Sequence, residues 1–240
     1  MSAYWSAADI LKQTASELGL TFTSISDTTV ISKQLLAALN SAGNEMLLYY
    51  PYEQFATEWP FTTQAGVGAY DLPSDWKYFR DNTQWDRTNH WPMLGPKSPQ
   101  EWAWLKGGLI ASFPRTRYRV INNQFNIWPV PPTVNFTPFN MAMEYIRSTW
   151  VLQGVSPKEM VTQDGDICQY DPWLLIKYIK LKFYQLKNFD TTSVEKDFMR
   201  MFDTLFGKDV GAPVLSMTPV ITPVFIGPQS IPDGNWNTGP

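Results

Sequence analysis

An α+β fold is predicted for this chain: a helical bundle made by its N- and C-terminal helices, an antiparallel β-sandwich or barrel-like insertion between them, and an extended C-terminal arm. Three observations predict it. Apolar residues recur at helical spacing towards both ends of the 240 residues, alternate at strand spacing from about Thr57 to Trp150, and keep no trustworthy period beyond Gly211. The expected division is therefore 1–55 with 165–210 as the helical domain, 56–164 as the β-rich insertion, and 211–240 as the arm.

The first helix runs from Ser6 to Leu18. Ile10, Leu11, Ala15 and Leu18 share a face, Ser6 is a cap with Asp9 in the first turn, and Gly19 ends the helix. A second helix starts near Asp27, read as its cap, carries the stripe Ile31, Leu35, Leu39, Ala42, Met46 and Tyr49, and stops at Pro51. In the middle block, Thr57–Thr63, Lys77–Asp86, Arg117–Ile121, Gln124–Trp128 and Met141–Trp150 each read as a strand. Asn122-Asn123 suits the left-handed two-residue turn that pairs the third of these with the fourth. Ser98, Pro99 and Glu101 predict one or two helical turns over SPQEWAWL.

Helical period returns at the Asp171-Pro172 cap and continues to Asn188. Leu174, Leu175, Tyr178, Ile179, Leu181 and Leu186 form a wide apolar arc, while Lys177, Lys180 and Lys187 gather on the other side. Lys182 falls inside the arc, which leaves two readings: a stem lying on the core with its ammonium reaching water, or a carboxylate partner on another subunit. The last helix opens on a Thr192/Glu195 capping box, buries Val194, Phe198, Met201, Phe202 and Leu205, and ends near Gly207.

Composition narrows the function. A net charge of −3 lacks the basic stripe of a protein that grips duplex DNA. The one cysteine, Cys168, and the one histidine, His90, exclude an internal disulfide and any multi-Cys or multi-His metal site. Charged residues make up only 17% and aromatics 15%, so much of the apolar excess is expected against partners. No run approaches the roughly 18 apolar residues of a membrane helix, and the opening MSAYWSAADILKQ lacks the order of a signal peptide, so membrane insertion is not expected and synthesis in the cytoplasm is.

Catalytic signatures are weak. Asn89-His90-Trp91-Pro92 reads as a turn, not as an acid-base site, and Gly66-x-Gly68 lacks the third glycine and following helix of a dinucleotide site. Asp164-Gly165-Asp166 lacks calcium-loop spacing and reads as a turn. The expectation is a non-enzyme without cofactor or metal. Rings at Trp76, Trp85, Trp91, Trp102 and Trp104 keep open an alternative, an aromatic-rich carbohydrate-binding module or tail-associated glycan-binding protein.

The segment Pro213–Pro232 holds nine large apolar residues, among them Val214, Leu215, Val220, Ile221, Val224, Phe225, Ile226 and Ile231, and no charge. Chains that stay solvated are polar and charged. A stiff, proline-punctuated apolar stretch suits an arm on a neighbouring chain, with folding back on its own domain as the competing reading.

The order of parts, with FTTQAGVGAYDLPSDW opening the insertion, the turn SPQEW at Ser98–Trp102, the run from Gln124 to Pro132 and the closing helix pair, resembles the head-to-tail adaptor proteins of short-tailed bacteriophages, the group of tail tubular protein A and related connectors. The resemblance spans about residues 5–208. It implies a structural virion protein: a homo-oligomeric ring, usually of twelve subunits, docked beneath the portal protein and offering its other side to tail nozzle or tail fibre proteins. It also implies that the helices form the ring wall around a channel through which viral DNA passes without sequence-specific binding. On that implication Lys177, Lys180, Lys182 and Lys187 are a candidate lumen or subunit-contact face, the apolar arm residues named above are a candidate portal or neighbour interface, and the protein resides at the head-tail junction of the virion.

Overall fold

A computed structural model describes residues 4–107 and 115–209. The expected arm, 211–240, and all of its interface residues from Val214 to Ile231 lie outside the described residues. The elements begin with α1 (Ala7–Glu17), α2 (Val30–Tyr49), β1 (Ala56–Thr62), β2 (Ala69–Asp71), β3 (Trp76–Phe79), β4 (Trp85–Asp86), β5 (Trp91–Pro92) and α3 (Pro99–Lys106). There follow β6 (Arg117–Ile121), β7 (Gln124–Trp128), β8 (Asn140–Arg147), β9 (Val151–Gln153), β10 (Ser156–Lys158), β11 (Ile167–Cys168), α4 (Pro172–Lys187) and α5 (Thr192–Asp209). The protein is mixed α+β. It divides into two compact units, residues 4–56 with 146–209, and residues 57–145.

In the helical unit, local chemistry sets most helix ends. Ser6 caps α1 by accepting the Asp9 amide, and Gly19 follows the helix with φ +68°. The cap of α2 is Thr29, not Asp27: Thr29 Oγ1 accepts the Ser32 amide, and Asp27 supports it by accepting from the Thr29 amide and hydroxyl and the Ser32 hydroxyl. At α5 the expected Thr192/Glu195 box is replaced by Asp190, whose Oδ1 accepts both the amide and the hydroxyl of Thr192. Asp190, two residues earlier, thereby takes the Thr192 amide that Glu195 of the first turn would reach back to in a capping box.

The expected strand Met141–Trp150 is broken at Arg147, and the chain re-enters as β9, flanked by β10 and β11 in an antiparallel three-stranded sheet. Residues 146–164 thus group with the helices, whereas the sequence reading ended the insertion at 164. The reason lies in α2. Asn40 brackets Val161, its Nδ2 donating to the Val161 carbonyl at 3.2 Å and its Oδ1 accepting the Val161 amide at 2.8 Å. Trp150, fully buried, lies directly on Gly43, where a Cβ would come within 2.3 Å of its ring. Tyr170 completes the contact by donating its hydroxyl to the Gly43 carbonyl at 2.9 Å. α4 packs against α1, α2 and α5.

In the second unit, β1, β8, β4 and β5 run side by side, with β3 also paired to β8, and β2-β7-β6 make a separate three-stranded sheet. The β6–β7 hairpin turns through Asn122 (φ 56°) and Asn123 (φ 59°), both left-handed as a tight primed turn demands. The run Lys77–Asp86, expected as one strand, is two: Asn82 takes φ 60°, and Thr83 and Gln84 side chains donate to the Arg80 carbonyl, closing a turn between β3 and β4. The core of this unit gathers on Phe125, ringed by Tyr118, Phe79, Trp59 and Phe61 at centroid distances of 5.0–5.9 Å. Ser98 and Glu101 form the full reciprocal capping box of α3.

Candidate functional site

α4 carries the lysines singled out from the sequence. Asp171 accepts the Trp173 and Leu174 amides, Pro172 occupies the first turn, and Asn188 ends the helix in the left-handed region at φ 55°. Between these ends Leu174, Leu175, Ile176, Tyr178, Ile179 and Leu181 are buried.

Three of the four lysines turn towards carboxylates of the same chain. Lys180 meets Glu17 of α1 at 2.8 Å, Lys177 approaches Asp197 of α5 at 3.9 Å, and Lys182 meets Glu45 of α2 at 2.5 Å. Lys182 also lies over the Tyr178 ring at 5.3 Å, so its position in the apolar arc is explained by an aromatic contact and an intrachain carboxylate. Only Lys187 is exposed, its ammonium 5.5 Å from the Phe183 ring. The lysines expected on one open face are therefore, apart from Lys187, struts from α4 to three other helices.

Glu45 is the most heavily bonded of these carboxylates: Oε2 accepts from Lys182 and from the Tyr178 hydroxyl, and Oε1 accepts from Ser41. Burial opposes its charge, but the Lys182 ammonium and the two hydroxyls outweigh that and hold the carboxyl below its ordinary range. Burial, reinforced by Glu45, pushes the Tyr178 hydroxyl upward. Glu17 is likewise lowered, with Lys180 prevailing over burial. Lys180→Glu should cost about 1 kcal/mol in urea unfolding, because the pair is only partly exposed and two carboxylates would then face each other; the charge-swapped Glu17→Lys/Lys180→Glu protein should recover most of it.

Aromatic contacts hold α5. Tyr178 stacks on Phe198 at 4.4 Å, Tyr49 meets Phe202 at 6.3 Å, and Tyr50 meets Phe206 at 4.2 Å. Phe198 is buried, while Val194, Met201, Phe202 and Leu205, expected in the core, remain half-exposed. Asp164-Gly165-Asp166 is more than a turn. Asp166 is fully buried; its Oδ2 accepts the Thr162 and Gln163 amides and pairs with Lys158 at 2.6 Å, its carbonyl accepts the Ala7 amide, and Asp164 Oδ1 accepts the Ile25 amide. This junction ties α1, the loop before α2 and β10 together. The partners lie up to 159 residues away, from Ala7 to Asp166, and no local signal announces them.

The remaining candidates are placed as follows. His90 sits exposed at φ 59° in the turn between β4 and β5. Cys168 is a buried free thiol, pushed up to about 12 by burial and by Asp166, and so is protonated at neutral pH. The five tryptophans do not form one exposed row: Trp102 is buried, Trp76 packs on Phe79, Trp91 is half-buried, and Trp85 and Trp104 are exposed. Among the described residues no group of three His, Cys, Asp or Glu is placed to hold a metal, and no helix is long and apolar enough to cross a membrane.

A lysine-strapped helical unit whose last helix is only half covered thus carries an inserted antiparallel β unit, and a comparison with family models assigns the sequence to a family. The model described as SU10 adaptor protein matches residues 5–218. The chain belongs to this family of phage head-tail adaptors. No curated protein matches the sequence.

Proposed function

We propose that the protein joins the portal to the tail at the head-tail junction of the virion, as a homo-oligomeric ring of about twelve copies assembled in the host cytoplasm. The observation that carries this reading is the family match over residues 5–218. Few charges and many aromatics support it, because a closed ring of heterologous contacts needs two different adhesive faces on each subunit. Mild acidity suits a DNA conduit, since a strongly basic lumen would retain phosphates. Of the α4 lysines, Lys187 is the one free enough to face a lumen or a neighbouring subunit.

The arm supplies the portal contact in this reading. Val214, Leu215, Val220, Ile221, Val224, Phe225, Ile226 and Ile231 dock on the portal or a neighbouring virion protein, and Pro219 and Pro223 limit any added strand to an edge. Tail nozzle or tail fibre proteins take the opposite side of the ring, and DNA passes without base-specific contacts. Deleting residues 212–240 should leave a folded subunit of near-normal thermal stability that no longer co-sediments with portal. Normal docking by the truncated chain, or its failure to fold, would assign the segment to the subunit's own core. Negative-stain images of purified protein with portal test the ring itself; monomers alone would count against it.

A further inference from the structure

The β unit contains a cavity of about 360 Å³ that the adaptor reading does not use. Its lining includes the polar residues Asp86, Asn89 and Thr116 together with Trp91, Pro129 and Phe139. Asp86 is 3% exposed and held rigidly: Oδ1 accepts the Thr88 and Asn89 amides at 3.0 Å each, and Oδ2 accepts the Asn89 side-chain amide at 2.7 Å. A carboxylate has roughly four lone-pair sites, so three are filled and one acceptor remains for a ligand.

This chemistry selects the ligand class. No Lys or Arg lines the cavity among the described residues, which disfavours phosphates and carboxylates. An acceptor-rich lining suits hydroxyl donors, whereas a proline-rich peptide presents carbonyl acceptors and lacks the amide hydrogens to use it. The half-buried Trp91 ring offers a face to C–H groups. From the juxtaposition of this buried carboxylate, the Asn89 amide and the Trp91 ring, we propose that the β unit binds a neutral saccharide of one or two rings. The site is independent of ring formation.

The test is titration calorimetry of the full-length protein with glucose, galactose, mannose, N-acetylglucosamine and their disaccharides. At least one should bind at a single site. Trp91→Ala should abolish that binding and Asn89→Ala should weaken it about tenfold, while Trp104→Ala leaves it unchanged and every variant keeps the oligomeric mass of the parent. Should Trp91→Ala fail to fold, Trp91→Phe with Asn89→Ala decides, because Asn89 is exposed and Asp86 keeps its bonds from the Thr88 and Asn89 backbone amides in that variant. No binding by any of these sugars, binding that survives both the ring and the amide substitution, or competition showing that a peptide of residues 213–232 occupies the cavity instead would overturn the proposal.

Discussion

Ile179→Asp should unfold or nearly unfold the helical unit. Ile179 is fully buried on α4, the helix that packs on α1, α2 and α5, and Lys177, Lys180 and Lys182 are already paired with Asp197, Glu17 and Glu45. A new carboxylate there has no cation to meet. The expected loss is on the order of 4 kcal/mol, read as a fall in the urea midpoint with an unchanged slope. Its pH dependence identifies the cause. Burial raises the pKa of the introduced carboxyl in the folded state, so between the ordinary and the raised value folding takes up a proton, and the gap between variant and parent should narrow as pH falls below the raised value. A fully folded Ile179→Asp protein with the parent's melting temperature would refute the packing of α4; Leu35→Asp on α2 is the matching test from the opposite side.

Gly43→Ala is expected to destabilise although alanine is the better helix former. The added Cβ would lie 2.3–2.4 Å from three atoms of the Trp150 ring, which is itself fully enclosed. Displacing it should cost about 1–3 kcal/mol, more than the roughly 1 kcal/mol that helix propensity returns. The sign should reverse when the ring is removed. In a Trp150→Ala background, itself weaker by about 3–5 kcal/mol, Gly43→Ala should be neutral or stabilising. A double-mutant cycle in urea checks this, and additive effects would show that the ring and the glycine do not meet.

What could be read from the sequence was whatever is encoded within a few residues. The Ser98/Glu101 box, the Asp171-Pro172 start and the Asn122-Asn123 turn are local devices, and the structure has each of them at the expected residue. Short strands were harder: β2, β5, β10 and β11 span two or three residues and carry no period to detect. The break at Asn82 was hidden because alternation continues on both sides of it. Long-range pairs leave no trace in spacing. Lys180 finds Glu17 at a separation of 163 residues, so an apparent solvent face proved to be occupied, and Gly43 is ordinary in a helix until Trp150 arrives from across the insertion. The candidate interface on the arm was legible only as composition, through the coincidence of prolines, apolar residues and absent charge.

The pairing of β1 with β8 bears on how the chain assembles itself. These are the strands by which the chain enters and leaves the insertion, and Thr63 and Phe139 are joined there both by a backbone bond and by the Thr63 hydroxyl. Without that neck, bringing α2 to α4 would mean closing an open loop of 89 residues, counted from 57 to 145. The entropy of such a closure is about 4 kcal/mol, against ~1 kcal/mol for a loop of a few residues. An insertion that zips first therefore hands the helices a short tether. On a ribosome, where α4 is made after α1 and α2 and before α5, a neck already paired would bring α4 back to those two earlier helices, and a graft of any hairpin-closed domain between Ala56 and Ile146 should preserve the fold of the helices.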